Sequence, residues 1–315
     1  MLQRESHDKT EALLTSVAFL YYEKGLTLEE IARRFCVSKM TISRMLDKAR
    51  LRGIVEVKIH LPIEHDKNLE GQLMKKFALK DAFVIKNPGT SNLVELLGQA
   101  GAYYLQLYLK SNDILGIAQG KTMSKVAEYM APNFYEDLHI VQIMGGLTDV
   151  VSTNMFSVIQ AFCEKLKCKG TYVHALGYAS SKKRRDILLD EIFKATELGE
   201  LWEKCNICMM GIGNADDTSI YTRLGFATLD ELKEIQALGG VGVVLGYFVN
   251  IHGELLSCSV NERVLAMPIE LLKRVDHVIA VSGGHEKIGA IIGALATGWI
   301  NALVTEEETA RQLLM

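Results

Sequence analysis

Residues 28–47 read LEEIARRFCVSKMTISRMLD, and the spacing of this stretch predicts two short helices joined by a tight turn. Thr27 precedes the first helix with Glu30 three places on, the spacing of a capping box. Ser38 precedes the second helix, which is expected to run to about Arg52 before Gly53 stops it. Ile31, Phe35, Val37, Ile42 and Met45 fall where two crossed helices form a small core, and Ala32 where they approach too closely for a larger side chain. The second helix then presents Ser38, Lys39, Thr41, Ser43, Arg44 and Lys48 outward. Short hydroxyls and basic side chains suit phosphate oxygens and base edges in a major groove, so the pattern is that of a helix-turn-helix. The alternative is a helical hairpin used for oligomer packing, which would need an apolar outer face. The turn position often held by glycine is Cys36, which is strained if its φ is positive.

Working outward, Ala12, Leu13, Val17, Ala18, Leu20 and Tyr21 recur at helical spacing ahead of Gly25. Behind the pair, Ile54–His60 alternates apolar and polar residues as a strand does, either the wing of a winged variant or the link onward. After residue 60 the pattern changes. Apolar runs at 82–85, 114–117, 140–143, 171–176, 207–212, 241–245, 277–281 and 302–304 alternate with helical stretches at 91–110, 122–131, 153–167, 186–201, 229–236, 285–297 and 306–314. Runs that are apolar throughout are expected of central strands in a parallel sheet covered on both faces. Two domains follow, 1–59 and 60–315.

The composition is that of an ordinary globular protein: 315 residues, 49% hydrophobic and 23% charged, with four prolines. Residues 1–60 hold 11 Lys and Arg against 8 Asp and Glu, or +3, so the whole-chain charge of −3 leaves −6 on the remainder. A basic head on an acidic body has the sign of an N-terminal nucleic-acid module. No apolar run approaches the ~20 residues of a membrane span. The N-terminus lacks the apolar stretch of a signal peptide. Six cysteines without such a signal point to a reducing cytoplasm. Cys205 and Cys208 have CxxC spacing with no second pair nearby, which reads as two buried cysteines or, alternatively, a redox or metal pair. His174 and His277 lie within apolar runs and are expected to be satisfied core histidines, while His139 and His252 are expected to be exposed.

In a doubly wound sheet, ligands bind beyond the carboxyl ends of the strands. Four glycine-bearing loops fit that position: 116–122 with Gln119, Gly120, Lys121 and Thr122; 142–146 with Gly145 and Gly146, followed by the caps Thr153 and Asn154; 211–214 with Gly213; and 281–287 with Gly284, His285, Glu286 and Lys287. Helix-start amides beside lysines suit a small anion. Tight strand–helix packing or a structural Gly-Gly turn is the alternative. The Gly116–Thr122 loop is one residue short of a P-loop, and neither a dinucleotide fingerprint nor a metal-ligand spacing of histidines is present. Neither a catalytic group nor a cofactor is predicted.

Taken together, Tyr21–Thr27, Glu30–Arg33, Ser38–Leu46, Gly145-Gly146, Gly211–Gly213, Ala280–Lys287 and Asn301–Thr305 resemble the SorC-type bacterial transcriptional regulators along nearly the whole chain. The resemblance implies a winged helix-turn-helix, all-α with a small wing. It is joined to an α/β, Rossmann-like doubly wound domain similar to sugar-phosphate isomerases, deaminases and CoA transferases. It further implies operator DNA and a phosphorylated sugar or polyol as partners, a homodimer or homotetramer, and control of a carbohydrate operon. By position, Gln119–Thr122, Thr153, Asn154, Leu245 and Lys287 would line the effector pocket, with Lys287 meeting the phosphate. Two departures stand out. Met144 replaces the lysine with which one branch forms a Schiff base, and Val243 replaces an aspartate that many members carry. The competing class is a sugar-phosphate isomerase or deaminase carrying a DNA-binding module, for which Asp149, Asp216, Asp217 and Glu286 are the nearest carboxylates.

Overall fold

Thr27 and Ser38 cap their helices as the spacing predicts. In the computed structural model, which describes residues 11–55, 63–86, 92–146, 155–216, 219 and 226–315, the chain divides into two units, Met1–Pro62 and Ile63–Met315. In the first, α1 spans 11–18 and passes into a π-helical turn, Phe19–Glu23; α2 is Leu28–Phe35 and α3 Lys39–Leu51. The Thr27 hydroxyl accepts from the Glu30 amide at 3.3 Å while the Glu30 carboxylate accepts from the Thr27 amide at 2.8 Å. Ser38 Oγ accepts from the Thr41 amide at 3.1 Å. Each arrangement satisfies helix-start donors that would otherwise lack a partner.

The core of this unit is Leu14, Val17, Ala18, Ile31, Ala32, Ile42, Leu46 and Ala49. Ile42, Leu46 and Ala49 follow the helical stripe i, i+4, i+7, so Met45 turns to the margin with Phe35. Val37 is a correction. It lies just past the left-handed Cys36 (φ 53°), and that turn swings it to the surface, 38% exposed. The wing strand expected at 54–60 falls mostly on 56–60, outside the described residues; Ile54 and Val55 pack against the core from a bend.

The second unit is an α/β layer structure. Its strands are β1 Asp81–Ile85, β2 Ile114–Ile117, β3 His139–Gln142, β4 Lys169–Thr171, β5 Ile207–Met210, β6 Ile212–Asn214, β7 Gly240–Val244, β8 Tyr247–Asn250, β9 His277–Val281 and β10 Ala302–Glu306. Seven form one sheet in the order β1-β10-β9-β5-β2-β3-β4, every pair parallel. The helices are α4 Lys67–Phe77, α5 Leu93–Tyr108, α6 Lys121–Tyr129, α7 Met155–Leu166, α8 Lys182–Ala195, α9 Glu197–Lys204, α10 Leu229–Ala237, α11 Ser259–Glu262, α12 Ile269–Leu272, α13 Ile288–Ala296 and α14 Glu307–Leu314. Successive residues of a strand serve different cores. In β5, Cys208 and Met210 join one cluster and Ile207 and Met209 the other; in β9, Val278 and Ala280 oppose Ile279 and Val281. A strand buried on both faces therefore reads as an unbroken apolar run.

Several expectations are corrected. The run at 241–245 is not a strand of the parallel sheet. As β7 it lies between β6 and β8 in a separate antiparallel sheet, because apolarity reports burial and not the direction of the neighbours. Of the fourth run, 171–176, only Thr171 pairs in the sheet, where β4 begins two residues earlier at Lys169; beyond it Leu176 meets Gly146 in an isolated bridge. The helix expected at 186–201 is two, since Thr196 (φ −135°, ψ 158°) ends α8 and caps α9. His174 is exposed, on the segment that has left the sheet, and His277 is half-buried with Nδ1 lacking a hydrogen-bond partner. Neither is a satisfied core histidine. Cys205 and Cys208 are both buried, their sulfurs 3.5 Å apart.

Candidate DNA interface and ligand site

The outward side of α3 carries Met40, Ser43, Arg44, Asp47 and Lys48, all exposed. The side chains of Arg44, Lys48 and Ser43 make no hydrogen bond or ion pair among the described residues. The other three predicted residues are partly engaged. Lys39 is paired with Glu29 of α2 at 2.6 Å. Ser38 serves as the helix cap, and its hydroxyl meets that of the half-buried Thr41 at 2.9 Å. Lys39 lies close enough to hold the Glu29 carboxyl below the ordinary carboxylate range, through the hydrogen bond first and charge second. Met40, 65% exposed, escapes a search for polar groups; its place on the helix wheel beside Arg44 is the signal that finds it.

In the second unit, parallel order sends the loops after β2, β3, β5 and β9 to one edge, because these strands are neighbours. Lys287 is the most closely held group there. Its Nζ donates to the Ile212 carbonyl at 3.1 Å, which joins the loop after β9 to the start of β6. Burial pushes its pKa below the ordinary lysine value; Glu286 opposes that shift and Lys121 adds to it. That coupling places Lys121, at the start of α6, in electrostatic reach of Lys287. No carboxylate lies within 4.0 Å of the Lys287 ammonium among the described residues. Gly120 begins α6 without a side-chain cap, leaving Lys121 exposed and Thr122 half-buried, while Gln119 has a partner within the fold.

The glycines divide into two kinds. Gly145 admits no side chain: a Cβ there would lie 2.5 Å from the Leu176 carbonyl. Its amide donates to Leu265 and that of Gly146 to Ala175, each at 2.9 Å, so both donors serve the fold. Gly284 likewise donates to Thr309 Oγ1 at 2.7 Å and adopts φ 111°. The Glu286 carboxylate folds back over it, its oxygens 2.7 and 2.8 Å from where a Cβ would stand. His285 is held by Gln312 at 2.8 Å. Gly213 pairs with Val243 in the antiparallel sheet. Leu245, left-handed at φ 49°, forms the β7–β8 turn with Gly246 and is buried. That turn packs over Met144 and receives a hydrogen bond from Tyr178 at Gly246. Thr153 and Asn154 lie outside the described residues.

Three polar oxygens at or near this edge are buried without a hydrogen-bond partner, on Asn214, Ser282 and Thr305. Asn214 and Ser282 lie in loops that the sequence singled out for their glycines, and Thr305 just past the run at 302–304, so none of the three stands out as a polar group facing the site. Asp216 is half-buried with a partner inside the fold and Glu286 is exposed, while Asp149 and Asp217 lie outside the described residues. Among the described residues, no group of three His, Cys, Asp or Glu could hold a metal ion, and no helix is long and apolar enough to cross a membrane.

A parallel sheet with a cation-bearing carboxyl edge, preceded by a helix-turn-helix, defines a class of two-part proteins pairing a nucleic-acid reader with a ligand-binding body. Residues 61–315 match the family described as "Putative sugar-binding domain", and residues 19–52 match region 4 of sigma-70. The chain belongs to that sugar-binding-domain family, in its SorC-type branch. It is 29% identical over 98% of its length to the erythritol catabolism regulatory protein of Brucella abortus, covering 98% of that protein. It is 28% identical to the sorbitol operon regulator of Klebsiella pneumoniae, over 96% of this chain and 97% of that one. The crystal structure of the full-length Klebsiella sorbitol operon regulator SorC superposes with a TM-score of 0.72 at 27% identity, covering 97% of this chain and 99% of that one.

Proposed function

We propose that this chain is a cytoplasmic, DNA-binding transcriptional regulator of a carbohydrate-utilisation operon. It works as a homo-oligomer, catalyses no reaction, and is controlled by a phosphorylated sugar or polyol held at the carboxyl edge of the parallel sheet. The relatives' names support the regulator reading. Lys287 carries the effector reading: a part-buried ammonium with no counter-ion among the described residues is costly to keep unless an anion supplies one. Lys121, the amides at the start of α6, and the buried oxygens of Asn214, Ser282 and Thr305 supply further charge and hydroxyl-binding capacity. Val243 leaves the β7 side of the site without a carboxylate, which suits an effector poor in hydroxyls at that end.

Ser43, Arg44 and Lys48, with Lys39, Ser38 and Thr41 at the helix start, form the groove-facing surface of α3. The DNA-binding domain is 1–59 and the effector and oligomerisation domain 60–315. The effector acts by binding one arrangement of the oligomer more tightly than another. Two variants test the division. Arg44→Ala is expected to lose specific operator binding in a gel-shift assay, a bidentate base contact being worth about 1–3 kcal/mol, while keeping its thermal shift with the effector found in a sugar-phosphate screen. Lys287→Ala is expected to keep operator binding and lose the response. A Lys287→Ala protein that still released operator at wild-type effector concentrations would rule the site out.

A further inference from the structure

The structure holds two cysteine pairs, and only one is reachable. Cys205 and Cys208 are buried in the sheet, packed against Gly116. Cys163 and Cys168 are each half-exposed at the end of α7. The chain leaves α7 through Lys167 in the left-handed region (φ 52°), and the Cys168 amide donates to the Cys163 carbonyl at 3.2 Å. This is the six-to-one closure of a Schellman motif, which lays the side chain after the turn onto the one five residues earlier. The turn therefore sets the two thiols side by side, near enough for each to bias the other's ionisation. Gly170 keeps the space beside Cys163 open, since a Cβ there would stand 2.9 Å from its sulfur.

We propose that Cys163 and Cys168 are a hydroperoxide-reactive dithiol that closes to a disulfide across the end of α7. The Cys163 sulfur attacks the peroxide. An S–O bond forms, the O–O bond breaks, and the departing hydroxide takes a proton to leave as water. The Cys168 sulfur then attacks the resulting sulfenic acid, forming the S–S bond as the S–O bond breaks and a second water departs. Two thiols and one hydroperoxide become one disulfide and two waters when hydrogen peroxide is the oxidant. The neighbouring Cys168 thiol favours the Cys163 thiolate, whereas Cys163 and burial together keep Cys168 protonated, so Cys163 takes the first step.

The reduced full chain is treated with hydrogen peroxide, alkylated under denaturing conditions and digested with trypsin without reduction. Lys165 and Lys167 lie between the two cysteines, so the bridge joins two separate peptides. The expected product links the Cys163 and Cys168 peptides and leaves Cys205 and Cys208 fully alkylated. In Cys168→Ser the sulfenic acid is expected to persist on Cys163 and be captured by dimedone; in Cys163→Ser no adduct is expected on Cys168. The proposal is overturned if wild-type Cys163 ends as sulfinic or sulfonic acid without a bridge, or bridges another cysteine. It is equally overturned if both thiols survive a dose that oxidises the exposed Cys36.

Discussion

Lys287 shows how one side chain sets a pH dependence. Its folded pKa lies below the ordinary lysine value because burial disfavours the charged form. Between the lowered pKa and the unfolded one, the unfolded chain binds more protons, so stability rises with pH through that window and the burial penalty is fully present below it. Lys287→Met is accordingly expected to melt higher than wild type at neutral pH in a thermal scan, with the gap shrinking as pH climbs toward the unfolded value. Anion binding has the opposite sense, since the site needs the ammonium. Effector affinity in titration calorimetry is expected to fall as pH rises through the lowered pKa. A flat profile would remove Lys287 from the site. The position was legible from a glycine pair followed by a charged triplet. Its bond to Ile212 was not, because that partner is a backbone carbonyl 75 residues away.

At the scale of elements, caps were the most readable features. Thr27 and Glu30 complete a local circuit that needs nothing from the rest of the fold. Thr27→Ala is expected to destabilise the N-terminal unit by about 1 kcal/mol in chemical denaturation, the usual cost of losing a cap. Cys36 works the other way. It sits at φ 53°, where a side chain is strained. Cys36→Gly is expected to raise stability by roughly 1 kcal/mol, relief of a left-handed non-glycine residue less the added chain entropy. Strands 114–117 and 277–281, and the stretch 302–304 of β10, were legible because both faces are buried. The antiparallel ribbon was harder. An apolar run has no mark of neighbour direction, and β8 follows β7 after only the Leu245–Gly246 turn, so the run at 241–245 was read and its hairpin partner was not. Helix α4 was passed over because its buried face is narrow, with Leu69 and Leu73 alone fully enclosed.

For the molecule as a whole, the two units carry separate cores: one around Ile31, Ile42 and Leu46, the other pair around the seven-stranded sheet. Differential scanning calorimetry is expected to resolve two transitions rather than one, with Thr27→Ala shifting only the smaller. A single transition displaced as a unit by that variant would show the two to be thermodynamically fused. The general plan was legible from the change in periodicity near residue 60, a shift from short capped helices to alternating apolar runs and helical stretches. The exact polar groups beneath the sheet edge were not, because Ser282 and Thr305 owe their setting to strand neighbours distant in sequence.

An ammonium has three protons, and the Ile212 carbonyl takes one of those on Lys287. A guest gripped by the others would be riveted to the β6–β7–β8 ribbon as well as to the strand edge. Its arrival would be felt as stiffening of the hairpin tip, read as slower amide hydrogen exchange around Leu245–Tyr247, with the ribbon acting as the molecule's gauge of occupancy.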